Sequence, residues 1–211
     1  MKYKETDYNR LYSDFQRKGR INRCFYCGAE NKITSSHSIS EKRCLNLLAE
    51  YVEGRKGVYG FKHLKLSRTN WHNPNHFGNF EVIGIKEAST FKGFCKVHDQ
   101  KLFKLLDESN FDETSIECKF LHCYRAFAKA VHTKREEFKS CSSDSIYKER
   151  NQKYIAERKE AIGIGLHFDL CDYDYLMTEW LKNQDYTQLE HFCLKRQCPI
   201  FCVNEKNRIR I

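Results

Sequence analysis

The stretch Gly93-Phe94-Cys95-Lys96-Val97-His98-Asp99-Gln100-Lys101-Leu102-Phe103 decides how the chain is read. It contains a Cys-x-x-His pair, Cys95 and His98, with Asp99 next to it. Upstream stands a second pair, Cys24-Phe25-Tyr26-Cys27, followed by Gly28. Thiolate and imidazole are the ligands Zn²⁺ prefers, and four of them in a tetrahedron close a structural site. Cys24, Cys27, Cys95 and His98 make one such set. The two-residue gap lets both sulfurs of the first pair face one ion, and Gly28 can take the positive φ of a tight knuckle. The pairs are 67 residues apart, so their types carry the assignment more than their separation. The competing explanation is buried thiols and a packed histidine.

Composition bounds the rest. At 211 residues the chain is one large domain or two small ones. Eleven cysteines would mean disulfides in a small secreted protein, but the count is odd and no apolar run follows the charged start Met1-Lys2-Tyr3-Lys4. A reduced, cytoplasmic protein without a membrane span is expected. Charge is uneven. Residues 1–100 hold 18 Lys/Arg against 10 Asp/Glu, and residues 101–211 hold 19 against 18. Nearly all the excess of +9 lies with the ligand pairs. A basic surface there favours a polyanion, most simply nucleic acid, over a merely solvated face.

Local patterns give the expected elements. Thr6 or Asp7 caps a first helix reaching Arg17, with Tyr8, Leu11, Tyr12 and Phe15 on one stripe. A short strand covers residues 31–37. Ser38 with Glu41 forms a capping box that opens a helix over residues 41–51. Residues 58–66 and 80–85 form a hairpin around a polar loop. Within it, Lys62, Lys65, Arg68 and Trp71 interleave charge with a stacking ring, which suits a nucleic-acid groove. His72 and His76 lie in that loop, read as solvated residues in preference to a contact with substrate or a second ion. A helix runs from Cys95 to about residue 106. The second half is helical: Thr114 caps one long run and Asp144 the next, which Gly163 and Gly165 close. Asp172 or Asp174 caps a helix with Leu176 and Trp180. Residues 186–195 make a last helix, and residues 199–203 and 208–211 a terminal hairpin. Cys198 and Cys202 look structural. Two domains follow, a zinc-binding one over residues 1–110 and a helical one over residues 111–211.

A zinc knuckle, a strand ending in His37, a hairpin, and a helix opened by the second ligand pair together resemble the HNH endonuclease family. That family carries a ββα-metal core on a treble-clef-type zinc site. The resemblance covers about residues 21–106. It implies an α+β fold: a zinc-pinned ββα-metal domain with an inserted hairpin, then a mainly helical half. The family strand commonly ends Asp-His, and here it is Ser36-His37-Ser38-Ile39. The family helix often begins Cys-x-x-Cys-His, and here His98 stands at the second cysteine and Asp99 at the metal-binding histidine. The family's middle Asn falls near Ser89 and Thr90, and about fifty residues are inserted in the hairpin region.

Carried over residue by residue, the resemblance implies His37 as general base on a water. Asp99 would be the ligand of a catalytic Mg²⁺ or similar divalent cation, with Ser36, Ser89 or Thr90 supporting. The ordinary explanations are a His37 ring packed near the knuckle or a helix cap, and an Asp99 placed to suit a helix N-terminus. Three functions compete: an endonuclease on DNA more than RNA, a non-catalytic zinc-dependent nucleic-acid-binding module, and a scaffold whose C-terminal helices meet a protein partner.

Overall fold

The computed structural model describes residues 5–30, 32–52, 54–61, 80–108, 112, 114–170 and 173–188. The chain is mixed α and β with small sheets. Helix α1 spans Glu5–Gly19, two residues beyond the expected end. It closes against the long helix α5 (Ile116–Ser142) at Gly19, where an added Cβ would run into the Ser140 hydroxyl and the Glu136 carbonyl. Only glycine permits that approach.

Two strands carry the site. β1 (Ile33–His37) pairs antiparallel with β5 (Thr90–Cys95), in register from Ile33 opposite Cys95 to His37 opposite Thr90, with an irregularity between Thr34 and Ser36. Strand β5 was not expected from the sequence. Its buried Phe91, Phe94 and Cys95 are strand-compatible, but Gly93 interrupts the alternation. Cys95 ends β5 with extended backbone and caps α3 (Lys96–Leu102). The expected helix over residues 95–106 breaks at Phe103, whose ring is fully buried, and resumes as α4 (Lys104–Glu108).

The region after β1 departs from expectation. Ser38 and Glu41 form no capping box: Ser40 holds the N-cap position without a side-chain bond, and Ser38 N–H donates to the Ser89 carbonyl at 2.9 Å. One wide π-type turn, Glu41–Leu45, leads into the short α2 (Asn46–Leu48). The helix then stops, and Tyr51 lies in strand β2 (Glu50–Val52). Gly54, at φ +75°, reverses the chain so that β2 pairs with β3 (Arg55–Phe61). β3 pairs in turn with β4 (Phe80–Gly84), ending at Phe61 opposite Phe80. The expected hairpin is therefore the β3–β4 pair of a three-stranded sheet, with residues 62–66 outside the described residues.

In the second half the caps are Ser115 and Ser145, not Thr114 and Asp144. Each hydroxyl accepts an N–H three residues on, at 3.2 Å, while Thr114 is drawn to Asp112. The next helix is two: α6 (Ile146–Arg150) and α7 (Gln152–Leu170). α7 runs through Gly163 and Gly165 because Leu166, beyond them, continues the apolar stripe of Ile155 and Ile162. α8 spans Tyr173–Lys182. The last expected helix and the terminal hairpin, with Cys198 and Cys202, lie almost wholly outside the described residues.

The larger core joins the two halves. Phe94 and Phe103 stack edge-on beside Tyr124 of α5, and Phe120, Val131, Met177 and Leu181 complete the cluster. It draws on residues from both sides of position 110. A second cluster ties Phe15 of α1 to Cys141, Tyr147, Ile155 and Ile162.

Candidate metal centre and the His37 site

The knuckle is built by backbone bonds. Gly28, at φ +72°, returns its N–H to the Cys24 carbonyl at 2.8 Å, and Cys24 N–H donates to the Ala29 carbonyl at 3.0 Å. Phe25 N–H donates to the Gly93 carbonyl at 2.7 Å, stitching the knuckle to β5 two residues before Cys95. The residues between the cysteines divide their work. Phe25 turns inward, edge-on to Phe94, Tyr124 and Phe127. Tyr26 lies against the His98 ring, with centroids 4.7 Å apart.

These bonds bring Cys24, Cys27, Cys95 and His98 together, with one ligand atom from each within 4.8 Å of all the others. His98 Nδ1 lies 3.2 Å from Cys95 Sγ and 3.8 Å from Cys24 Sγ. A tetrahedron with Zn–S of about 2.3 Å and Zn–N of about 2.05 Å has edges of roughly 3.5–3.8 Å. The observed distances bracket that range, so the cluster could hold a metal such as zinc, with Nδ1 as the imidazole donor. Cys24 and Cys95 are buried and Cys27 is exposed. Burial, and then the Lys101 charge, lower the His98 pKa and favour the neutral ring that ligation needs.

Asp99, one residue on, faces the other way. Its carboxylate lies 3.6 Å from an Arg125 guanidinium nitrogen. Arg125 comes from α5 and is only 4% exposed along its side chain. It also reaches both carboxylate oxygens of Asp107, at 3.3 and 3.4 Å, and stacks 4.4 Å above the centre of the Phe103 ring. Asp99 therefore ties α3 to α5. Among the described residues the four-ligand cluster is the one group of three or more His, Cys, Asp or Glu at metal-binding spacing, and Asp99 is outside it.

His37 ends β1 at the opposite end of the ribbon. Its Nδ1 donates to the Ala88 carbonyl at 3.0 Å, and its Nε2 lies 3.0 Å from Glu41 Oε2. The ring is half-buried. Ser89 and Thr90 stand beside it: Thr90 is opposite His37 in the register, and the Ser89 hydroxyl donates to the Ile39 carbonyl at 3.4 Å. Ser36 is buried, and its hydroxyl has no hydrogen-bond partner among the described residues. Adjacent strand residues point to opposite faces, so Ser36 does not share the His37 face.

Sequence reasoning missed the role of Glu41. The signal was present as His37-x-x-x-Glu41, but the same glutamate also completed the Ser38 capping pattern. Lys62, Lys65, Arg68 and Trp71, the expected nucleic-acid contacts, and His72 and His76 lie outside the described residues. No helix among the described residues is long and apolar enough to cross a membrane. Comparison with protein-family profiles, with curated proteins and with solved structures finds no match for this chain.

Proposed function

We propose that the chain is a metal-dependent endonuclease that hydrolyses phosphodiester bonds in nucleic acid, DNA first. The observation that carries this reading is the fixed imidazole of His37. It ends one strand of a β1–β5–α3 unit, and the four-ligand cluster that could hold a metal lies at the far end of that unit. The carbonyl of Ala88 can only accept, so Nδ1 is the donor there, and Nε2, which lies 3.0 Å from Glu41 Oε2, is the ring atom left to act on a water once it parts from that carboxylate. That is the atom a general base needs. His37 Nε2 takes a proton from water, the water oxygen bonds to phosphorus in line, and the ester P–O bond opposite breaks. A divalent cation such as Mg²⁺ or Mn²⁺, when bound, offsets the charge gathering on the phosphate and the leaving oxygen. Structural zinc held by Cys24, Cys27, Cys95 and His98 would fix the distance between ribbon and helix and take no part in the chemistry. The positive excess in residues 1–100 supplies attraction to the phosphate backbone.

A second reading, a non-catalytic zinc-dependent nucleic-acid-binding module, draws support from Asp99, whose carboxylate is engaged by Arg125 instead of lying open to a cation. Plasmid DNA incubated with the purified chain and Mg²⁺ or Mn²⁺ separates the two. The endonuclease reading expects metal-dependent nicking that His37→Ala abolishes. Salt-sensitive DNA binding with no nicking under any divalent ion would establish the binding module in its place.

A further inference from the structure

The connection between α1 and the knuckle is strongly basic. Arg17, Lys18, Arg20 and Arg23 fall within seven residues, with no acid among them. All four are exposed. The fold fixes this run along α5. Gly19 meets the Glu136 carbonyl and the Ser140 hydroxyl too closely for any Cβ, and Ile21 N–H donates to Glu136 Oε1 at 3.0 Å. The helix it lies on adds more positive charge. Arg135 and Lys139 stand four residues apart, on one side of α5. Lys139 donates to the Arg20 carbonyl at 2.9 Å, and Arg135 lies 5.9 Å from the centre of the Phe25 ring in the knuckle. Folding thus gathers like charges from two separate elements, which opposes the compact state. The α1 dipole accounts for two of them, since cations suit a helix C-terminus and Arg17 and Lys18 occupy its last turn. It does not account for Arg20 and Arg23, which lie past the helix, or for the pair on α5. The acids close by are already engaged: Asp14 with Arg17 and Lys18, Glu136 with the Ile21 N–H, and Asp144 with Lys148.

We propose that this surface, the α1–knuckle connection with the Arg135–Lys139 side of α5, holds the phosphate backbone of a DNA duplex. The inference rests on the nucleic-acid reading for the kind of polyanion, and not on cleavage. Four of the six cations are arginines, whose planar fork matches phosphate oxygens two at a time. The rings beside the surface are engaged, Phe25 in the core and Tyr26 against His98. A single strand binds by stacking its bases on free rings, whereas a duplex backbone asks chiefly for charge. Attachment to an anionic membrane draws on exposed apolar side chains as well, and Ile21, the apolar residue of the run, is half-buried. Arg23 directly precedes Cys24, so the surface adjoins the metal-cluster end of the ribbon.

The test follows a fluorescent DNA duplex by anisotropy as the full chain is added, over a series of salt concentrations, with circular dichroism to confirm folding of each variant. Arg17→Gln together with Arg20→Gln should weaken binding by about tenfold and lower the slope of log affinity against log salt by about two. Arg17→Lys together with Arg20→Lys keeps the charge and should recover most of the loss. Lys104→Gln together with Lys119→Gln removes the same charge from exposed positions elsewhere and should bind as the wild type does. Equal loss in the arginine and lysine pairs would mean attraction by net charge alone and overturns the assignment. So does unchanged binding in the arginine pair, or tighter binding of a single strand of the same length. A wild type held by anionic lipid vesicles or polyglutamate, and not by the duplex, overturns it too. Plasmid nicking keeps the two proposals apart. Duplex binding that needs the arginines, without nicking under any divalent ion, removes the endonuclease and leaves the surface. Nicking that needs His37 but is untouched by the arginine pair at every salt concentration does the reverse.

Discussion

The two ends of the β1–β5 ribbon are built on opposite plans. At the Ile33–Cys95 end, three cysteines and a histidine converge on one point, and two of the sulfurs are buried. At the His37–Thr90 end, one imidazole and one carboxylate meet in a half-exposed setting. The first end is a soft ligand set that could hold an ion such as zinc. The second is a harder and more open pair, its carboxylate 37% exposed.

The largest effect should come from breaking the clamp. Structural zinc contributes on the order of 10 kcal/mol to such sites, comparable to the whole stability of a domain. Cys95→Ser should lower bound metal from one equivalent to none and abolish cooperative thermal unfolding. Chelation of the wild type should do the same, both read by metal analysis and melting curves. Glu41→Gln, at the open end, should melt within a few degrees of the wild type, because a half-exposed ion pair contributes about 1 kcal/mol or less. A chelated protein with an unchanged melting curve would erase the contrast.

How much of this contrast was legible depended on how local each signal was. Cys24, Cys27, Cys95 and His98 were readable because two short pairs of ligand types stand out in any context. The strand ending at His37 was readable too. Glu41 was misassigned because two local patterns overlap on it, and a tertiary bond decided between them. Once Ser38 N–H had paired with the Ser89 carbonyl, the capping geometry was gone. Asp99 was legible as a first-turn acid of α3, but its partner Arg125 lies far along the chain and nothing near either residue announces the pair. Likewise, Gly163 and Gly165 looked like helix ends until packing of Leu166 overrode them. The expected nucleic-acid residues Lys62, Lys65, Arg68 and Trp71 lie outside the described residues.

The next effect concerns what fastens the clamp to the helical half. Arg125 is buried between Asp99 and Asp107 and over Phe103. Arg125→Met keeps the bulk and removes the charge, leaving two carboxylates that face the core without a cation. Breaking a buried pair costs about 3–5 kcal/mol, and the partial exposure of both carboxylates puts this one at about 3 kcal/mol. Urea unfolding measures it. Adding Asp99→Asn and Asp107→Asn should return most of the loss, because the stranded charges are then gone. If Arg125→Met is as stable as the wild type, Asp99 is not fixed by this contact and becomes available again as a cation ligand.

The smallest effect compares the two left-handed residues, one at each end. Gly28 at the closed end has φ +72°, a conformation that costs glycine nothing. Ser89 at the open end has φ +61°, which strains any residue with a Cβ by about 1–2 kcal/mol. Gly28→Ala should therefore destabilise by about 1 kcal/mol, since an added methyl would meet the Arg23 guanidinium only at ordinary contact distance and the backbone conformation is what objects. Ser89→Gly relieves the strain but frees the unfolded chain by about 0.5–1 kcal/mol, so net stability should change by less than about 0.5 kcal/mol. Its consequence should appear elsewhere. The turn that carries the Ala88 carbonyl becomes pliant, and the His37 ring loses its fixed acceptor. Denaturation curves give the first quantity, and the line width of the His37 ring protons by NMR gives the second. A serine kept under strain beside the His37 ring makes sense if it stiffens that ring's acceptor. Were Ser89→Gly to leave the imidazole as rigid as before, the open end would owe its geometry to the β1–β5 pairing alone.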